Sequence, residues 1–309
     1  MQKGLVSIVS PCYNREHILH RFLDSVLAQT YRKIQVILVD DGSTDDTRGA
    51  AMCYEDRFQE AGMDFEYYCQ ENGGVSSAIN TGLKYVRGEF LCWPDSDDWY
   101  APESIEKRVQ MLNKHPEYGI VSSDADFYYE DDLTTPQGMV SGKSKVRFEE
   151  NQFELLLHGN SLVCNICHMV RTEAFFETHP GGKIYNSRHG QNIQMLLPVY
   201  YRYKRGFIDE PLCHYLIIRN SLSHSDDTFG KKLAYRNAIE DLMTETLCRI
   251  EMPQQEREKY IRYTRIKNTR RKLVLAGEYK KKVFAKEQID YLRSIKALSL
   301  KDVFSYIKI

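Results

Sequence analysis

Gly88-Glu89-Phe90-Leu91-Cys92-Trp93-Pro94-Asp95-Ser96-Asp97-Asp98-Trp99-Tyr100, residues 88–100, joins a short apolar run to three carboxylates within four positions. The run from Glu89 to Trp93 reads as a buried strand that Pro94 breaks. Asp95 and Asp97 are two apart, so in extended chain they project to the same side. Acids crowded at a strand end repel one another unless a cation sits between them. A compact all-oxygen set suits Mg²⁺ or Mn²⁺ better than zinc. The plainer alternative is a solvated turn in which Asp98 caps a helix starting near Pro102.

Upstream, the same grammar repeats. Leu5–Ser10 reads as a strand stopped by Pro11, followed by a helix over Glu16–Gln29 with Ile18, Phe22, Val26 and Leu27 at helical spacing. Gln35–Val39 is a second strand ending in Asp40-Asp41-Gly42-Ser43, with Thr44 as N-cap of the next helix. Phe65–Cys69 is a third, followed by Glu71-Asn72-Gly73-Gly74 and a helix to Val86. Strand alternating with helix implies a mostly parallel α/β sheet covered on both faces, and such sheets bind ligands at the carboxyl ends of their strands. Those ends carry Pro11-Cys12-Tyr13-Asn14, Asp40-Asp41-Gly42-Ser43, Asn72-Gly73-Gly74 and Asp95-Ser96-Asp97-Asp98. The first turn lacks G-x-G-x-x-G, which argues against a dinucleotide site. It also lacks the glycine-rich basic loop of a nucleotidyltransferase.

These four motifs, in order, resemble the family 2 glycosyltransferases of GT-A fold over about residues 4–130. The resemblance implies a nucleotide-diphosphate sugar, with uridine as the base, held with Mn²⁺ or Mg²⁺. Tyr13 would lie against the base, Pro11 and Asp41 would contact the uracil, and Asn72 and Ser96 would line the donor site. Asp95 would meet the ribose or metal-bound water, and Asp97 would ligate the metal. Family members often carry an arginine where this chain has Ile79, so a donor contact must come from elsewhere.

The second half offers strands at Ile120–Ser123, Ile166–Val170 and Pro211–Ile218, a short helix at Phe153–His158, and Thr172 capping a helix over Glu173–Glu177. The resemblance implies that this half receives a saccharide acceptor with inversion at the transferred sugar. Its usual catalytic aspartate opens a helix, but the matching segment here is Gly190-Gln191-Asn192, and neither amide is a base near neutral pH. His189 and His168 are the nearest titratable candidates. The competing reading is a nucleotide-sugar-binding module, inactive for want of that acid, in a glycan-assembly complex. His224, in the stretch Arg219–Ser225, is a further candidate for the metal or a phosphate, because that loop resembles one closing over the diphosphate.

Composition sets bounds. At 42% hydrophobic and 28% charged residues the chain is an ordinary globular one, and no apolar run approaches the ~18 residues of a membrane span. The start, Met1-Gln2-Lys3-Gly4-Leu5, shows no signal-peptide pattern, which makes the cytoplasm the default location. Cys164 and Cys167 have no second pair at zinc-ribbon spacing. Residues 1–230 hold 22 Lys and Arg against 33 Asp and Glu, whereas residues 231–309 hold 20 against 10. The expected organisation is therefore a GT-A domain over 1–228 (nucleotide-sugar half 1–125, acceptor half 126–228) and a basic helical region over 229–309. Lys280-Lys281-Lys282 and Arg270-Arg271-Lys272 suit an anionic membrane surface, peripheral at its inner face, and a lipid-linked acceptor for surface-polysaccharide synthesis. The acidic remainder argues against nucleic acid.

Overall fold

The computed structural model describes residues 1–142, 144–218 and 228–309, and the chain divides into two compact units, Met1–Arg219 and Asn220–Ile309. The first opens with β1 (Gln2–Cys12), α1 (Leu19–Leu27), β2 (Ile34–Asp40), α2 (Thr47–Met52), α3 (Glu55–Glu60), β3 (Asp64–Cys69), α4 (Val75–Gly82) and β4 (Gly88–Cys92). Then come β5 (Trp99–Tyr100), α5 (Ser104–Lys114), β6 (Tyr118–Tyr129), β7 (Gly138–Met139), α6 (Phe153–His158), β8 (His168–Arg171), α7 (Thr172–Thr178), α8 (Gln191–Arg202) and β9 (Lys204–Ile217). One sheet runs β3-β2-β1-β4-β8-β6-β9-β5, with β7 paired to β6.

The first four strands in that order are parallel, as strand–helix alternation requires. Alternation along β1 and β2 sorts their side chains to two faces. Val6, Ile8, Val36 and Leu38 join Leu19, Phe22 and Val26 of α1 in the main core. Val9, Ile37 and Val39 turn the other way, against Gly82 of α4, where an added Cβ would lie 2.4 Å from Val9 Cγ1. Both faces of the sheet are thus covered. Beyond β4 the sheet continues through β8, antiparallel to both β4 and β6, while β9 runs parallel to β6.

Several local expectations are corrected. β1 runs through Pro11, which pairs with Val39. The carbonyl of Cys12 accepts from Asp41 N, so the backbone of Pro11 faces the opposite side, where pairing to β4 has ended at Ile8. A proline's missing donor is harmless there. Asp46, not Thr44, caps α2 by accepting from Gly49 N at 3.0 Å. Asp98 caps no helix: Glu103 precedes α5, and Asp98 is buried. Arg171, not Thr172, stands at the cap of α7, and the buried Thr172 hydroxyl has no partner among the described residues.

The second unit contains α9 (Phe229–Arg249), α10 (Gln254–Glu278), α11 (Lys282–Ser294) and α12 (Leu300–Ile307). Leu273, Ala276, Ala285 and Ile289 form its small core, with Phe284, Leu298 and Tyr306 packed on it. Ser299 and Asp302 make a reciprocal capping box at the start of α12, and Arg270 pairs with Asp302 at 3.0 Å. Lys272 pairs with Glu240 at 2.7 Å, so two of the three cations at 270–272 are engaged inside the unit. No described helix is long and apolar enough to cross a membrane.

Candidate donor-sugar site

Register brings the loops together. Cys12 pairs with Asp40 and Asp40 with Cys69, so the ends of β1, β2 and β3 are level. The loops beyond them are hydrogen-bonded to one another. Asn14, at φ +52°, accepts from Thr44 N at 2.8 Å, and its own N–H donates to Ser43 Oγ at 2.9 Å. Glu16 N donates to Asp45 at 3.1 Å and Arg15 N to Thr47 Oγ1 at 2.7 Å. Tyr13 stands on this rim with 42% of its surface exposed, whereas Pro11 is buried beneath it.

Asp41 is almost fully buried. It takes hydrogen bonds from Gly73 N (2.9 Å) and Gly74 N (2.7 Å), which fixes the turn into α4. Gln70 Nε2 adds a third at 2.7 Å, and Gln70 is itself held by Ser77 and Thr81 of α4. A carboxylate offers about four acceptor directions, so one is left for a ligand N–H. Asn72 donates its side-chain amide to the Asp41 carbonyl at 2.9 Å and is exposed at the rim.

The acidic turn lies next to this rim. Ser10 Oγ donates to the Pro94 carbonyl at 3.1 Å, tying the turn to the end of β1. Ser96 is buried, Asp95 and Asp97 are half-buried, and Asp98 is fully buried. Burial, then the charge of Asp97, pushes the Asp95 carboxyl up to about 7; the bond from Asn165, the charge of Arg15 and the nearby Gln191 amide oppose that rise. The Asn165 amide donates to Asp95 Oδ2 at 2.7 Å. Asp98 accepts from Leu216 N at 2.9 Å through one oxygen; the other is buried and has no partner among the described residues, and burial and then Asp97 push this carboxyl well up. Arg15 reaches Asp97 at 3.4 Å.

On the acceptor side, Gln191 opens α8 behind Gly190 (φ +70°) with its side chain near Asp95, while Asn192 donates to the Val163 carbonyl at 2.8 Å. His189 is exposed beside them. His168 is elsewhere: fully buried in β8, hydrogen-bonded through Nδ1 to Ser122 Oγ at 2.7 Å, its Nε2 without a partner among the described residues. Burial, then Arg205 and Arg108, hold its ring neutral. Packed there it cannot meet an acceptor hydroxyl, so its candidacy as a base is withdrawn. Ile79 is buried in α4 and offers the rim nothing. Arg219, Ser221, Ser223 and His224 lie outside the described residues.

Gln70, Asn165 and Gln191 were not singled out by sequence as partners of the aspartates. Asn165 alone left a signal, a polar residue inside the apolar segment Val163–Met169.

Residues 7–177 match the family described as "Glycosyl transferase family 2". The chain belongs to that family. An uncharacterized glycosyltransferase of Rickettsia bellii is 30% identical over 281 residues, covering 85% of this chain and 37% of that protein. The UDP-Glc:alpha-D-GlcNAc-diphosphoundecaprenol beta-1,3-glucosyltransferase WfgD of Escherichia coli is 36% identical over 115 residues, 37% of this chain and 44% of WfgD. This chain spans about a third or less of the length of the rickettsial relatives it matches. Staphylococcus aureus TarS 1-349 in complex with UDP-GlcNAc superposes with a TM-score of 0.62 at 14% identity, over 98% of this chain and 89% of that one. A mannosyltransferase of Pyrobaculum calidifontis in complex with GDP-Man and Mn²⁺ gives 0.59 at 16% identity, over 98% and 78%. The family 2 chain thus has the GT-A fold.

The family implies a divalent cation. Among the described residues no three His, Cys, Asp or Glu side chains converge on one point. Magnesium-type sites, however, commonly use one or two carboxylates and complete their shell with substrate phosphates and water. The half-buried Asp97, balanced by Arg15 at 3.4 Å, and the orphaned Asp98 oxygen behind it are a donor set of that kind. The residues present fit such an ion.

Proposed function

We propose that this family 2 chain transfers one sugar from a UDP-sugar to a saccharide acceptor, with inversion, in the synthesis of a surface glycan. The observation carrying the reading is the meeting of the Tyr13 and Asp41–Asn72 loops on one level rim, with the Asp95–Asp97 turn tied beside it. Tyr13 stacks on the base and Asp41 accepts from its ring N–H, with Pro11, Asn72 and Ser96 lining the pocket. Asp95, steadied by Asn165 and Gln191, orients the ribose or a water; Asp97 holds the cation, Mn²⁺ or Mg²⁺. When bound, that ion neutralises the departing diphosphate. Uridine and a lipid-linked acceptor are supported by the UDP-sugar of the TarS complex and by the acceptor in WfgD's name.

One observation favours a second reading. Gln191 and Asn192 open α8, and Asn192 is spent on a backbone carbonyl, so no carboxylate stands at the start of α8 to take the acceptor's proton. A nucleotide-sugar-binding module that turns over poorly fits this.

A panel of nucleotide sugars, with and without Mn²⁺ and with saccharide acceptors, separates the two readings. Metal-dependent release of UDP supports the transferase, and His189→Ala then tests the exposed imidazole as proton acceptor. Binding without release, even with acceptors, supports the module. No binding of any nucleotide sugar overturns both.

The second partner we propose is an anionic membrane surface, met by residues 231–309. α12 supports it: Leu300, Phe304 and Ile307, at i, i+4 and i+7, are 79%, 63% and 66% exposed, flanked by the exposed Lys301 and Lys308. An apolar stripe bordered by lysines is the pattern of an interfacial helix. It would place the protein on the inner face of the membrane, near a lipid-carried acceptor.

A further inference from the structure

We infer that Arg188 contacts the donor diphosphate, supplying from the acceptor half the cation that Ile79 cannot. The inference rests on the donor-binding reading above. The segment before α8 lies along the rim. Asn80 of α4 grips Ile184 in both directions, its Nδ2 donating to the Ile184 carbonyl at 3.0 Å and its Oδ1 accepting from Ile184 N at 2.8 Å. Four residues on, Arg188 packs over Gly74: a Cβ built there would lie 3.2 Å from Arg188 Cγ and 3.7 Å from its Cα. Three residues further, the side chain of Gln191 lies near Asp95. Arg188 is therefore held between the two places where a nucleotide diphosphate must pass, the Asp41–Gly74 turn and the acidic turn.

Charge points the same way. Asp41, Asp95, Asp97 and Asp98 make this a poor place for a diphosphate unless cations join it. Arg15 is committed to Asp97, and the guanidinium of Arg21, though it feels the charges of Asp97 and Asp98, is buried in part over the Trp99 ring. Arg188 is exposed and, among the described residues, has no acid or hydrogen-bond acceptor of its own. A guanidinium presents a planar fork that suits phosphate oxygens. Gly74 permits the approach: at φ +86° it also holds a backbone conformation that disfavours any side chain.

Calorimetric titration of the whole protein with UDP and with uridine, in Mn²⁺, tests this on wild type, Arg188→Gln and Arg188→Lys. The expected result is a roughly tenfold or larger loss of UDP affinity in Arg188→Gln, the size of a charge-assisted bond. Uridine affinity should be unchanged, and lysine should restore part of the loss. Equal UDP affinity in wild type and Arg188→Gln overturns the inference alone. An equal loss for uridine and UDP overturns the assignment to the diphosphate. A wild type that binds no UDP overturns the donor reading, and the inference with it.

Discussion

Asp97 and Asp41 are both rim aspartates, but their surroundings make them answer differently to substitution. Asp41 is tied into three hydrogen bonds that shape the turn to α4, so changing it disturbs the pocket and the fold together. Asp97 has one ion pair with a partly exposed arginine, an interaction contributing ~0–1 kcal/mol. Asp97→Asn should therefore unfold in denaturant within about 1 kcal/mol of wild type while losing Mn²⁺-dependent UDP binding; unchanged metal dependence would remove Asp97 from the metal site. His168 gives a different prediction. Its ring is held neutral in the fold, whereas the unfolded chain protonates it near pH 6.5. Its contribution to stability is complete above that pH and declines as pH falls below it, by a factor of ten in the folding constant per pH unit. The stability difference between wild type and His168→Leu should narrow from pH 7 to pH 5, and the ring resonance should not titrate in the folded protein. A midpoint near 6.5 would contradict the burial. At this scale the placement of Asp41, Asp95 and Asp97 just beyond strand ends was legible in sequence because their neighbours in the chain define it. His168 was misjudged and Asn165 passed over because their roles depend on Ser122 and Asp95, far away in sequence.

Elements were legible where local pattern decides them. The apolar run of β2, all seven residues buried, reads correctly because a strand covered on both faces has no polar side. The extension of β1 through Pro11 and the antiparallel placement of β8 depend on where neighbouring strands end, which periodicity does not encode. Gly88 shows such a tertiary demand: a Cβ there would lie 2.6 Å from Leu5 O and 2.7 Å from Ser7 N, backbone atoms of β1 that cannot step aside. Gly88→Ala should destabilise by about 1–3 kcal/mol, read as a lower denaturation midpoint; a neutral effect would mean that β1 and β4 are less closely joined than described. α12 makes the opposite case, an element whose apolar side faces outward. Replacing Leu300, Phe304 and Ile307 together by Ser should reduce co-sedimentation with phosphatidylserine-containing vesicles several-fold, leaving thermal stability near wild type because none of the three is buried. Undiminished binding would shift the contact to Lys280–Lys282 or end the membrane reading.

At the scale of the molecule, the charge division at residue 230 lies about ten residues beyond the boundary between the two compact units, Met1–Arg219 and Asn220–Ile309. The described site residues lie within Met1–Arg219, and the second unit has a core of its own. Its cations are not all available to a partner, since Arg270 and Lys272 are occupied by Asp302 and Glu240. The exposed Lys280, Lys281, Lys282, Lys286, Lys301 and Lys308 remain for an anionic surface. Binding by such a group is screened over a distance of ~8–10 Å at ordinary ionic strength. Vesicle binding should therefore weaken steeply between 50 and 300 mM salt, whereas UDP binding through stacking, hydrogen bonds and a coordinated cation should weaken far less. A chain ending at residue 228 carries the comparison further. If the units divide the labour, it should bind UDP with the affinity of the full chain and leave anionic vesicles in the supernatant. Loss of both activities in a truncated chain that remains folded would show that the helical unit completes the donor site, and the separation of roles proposed here would fall.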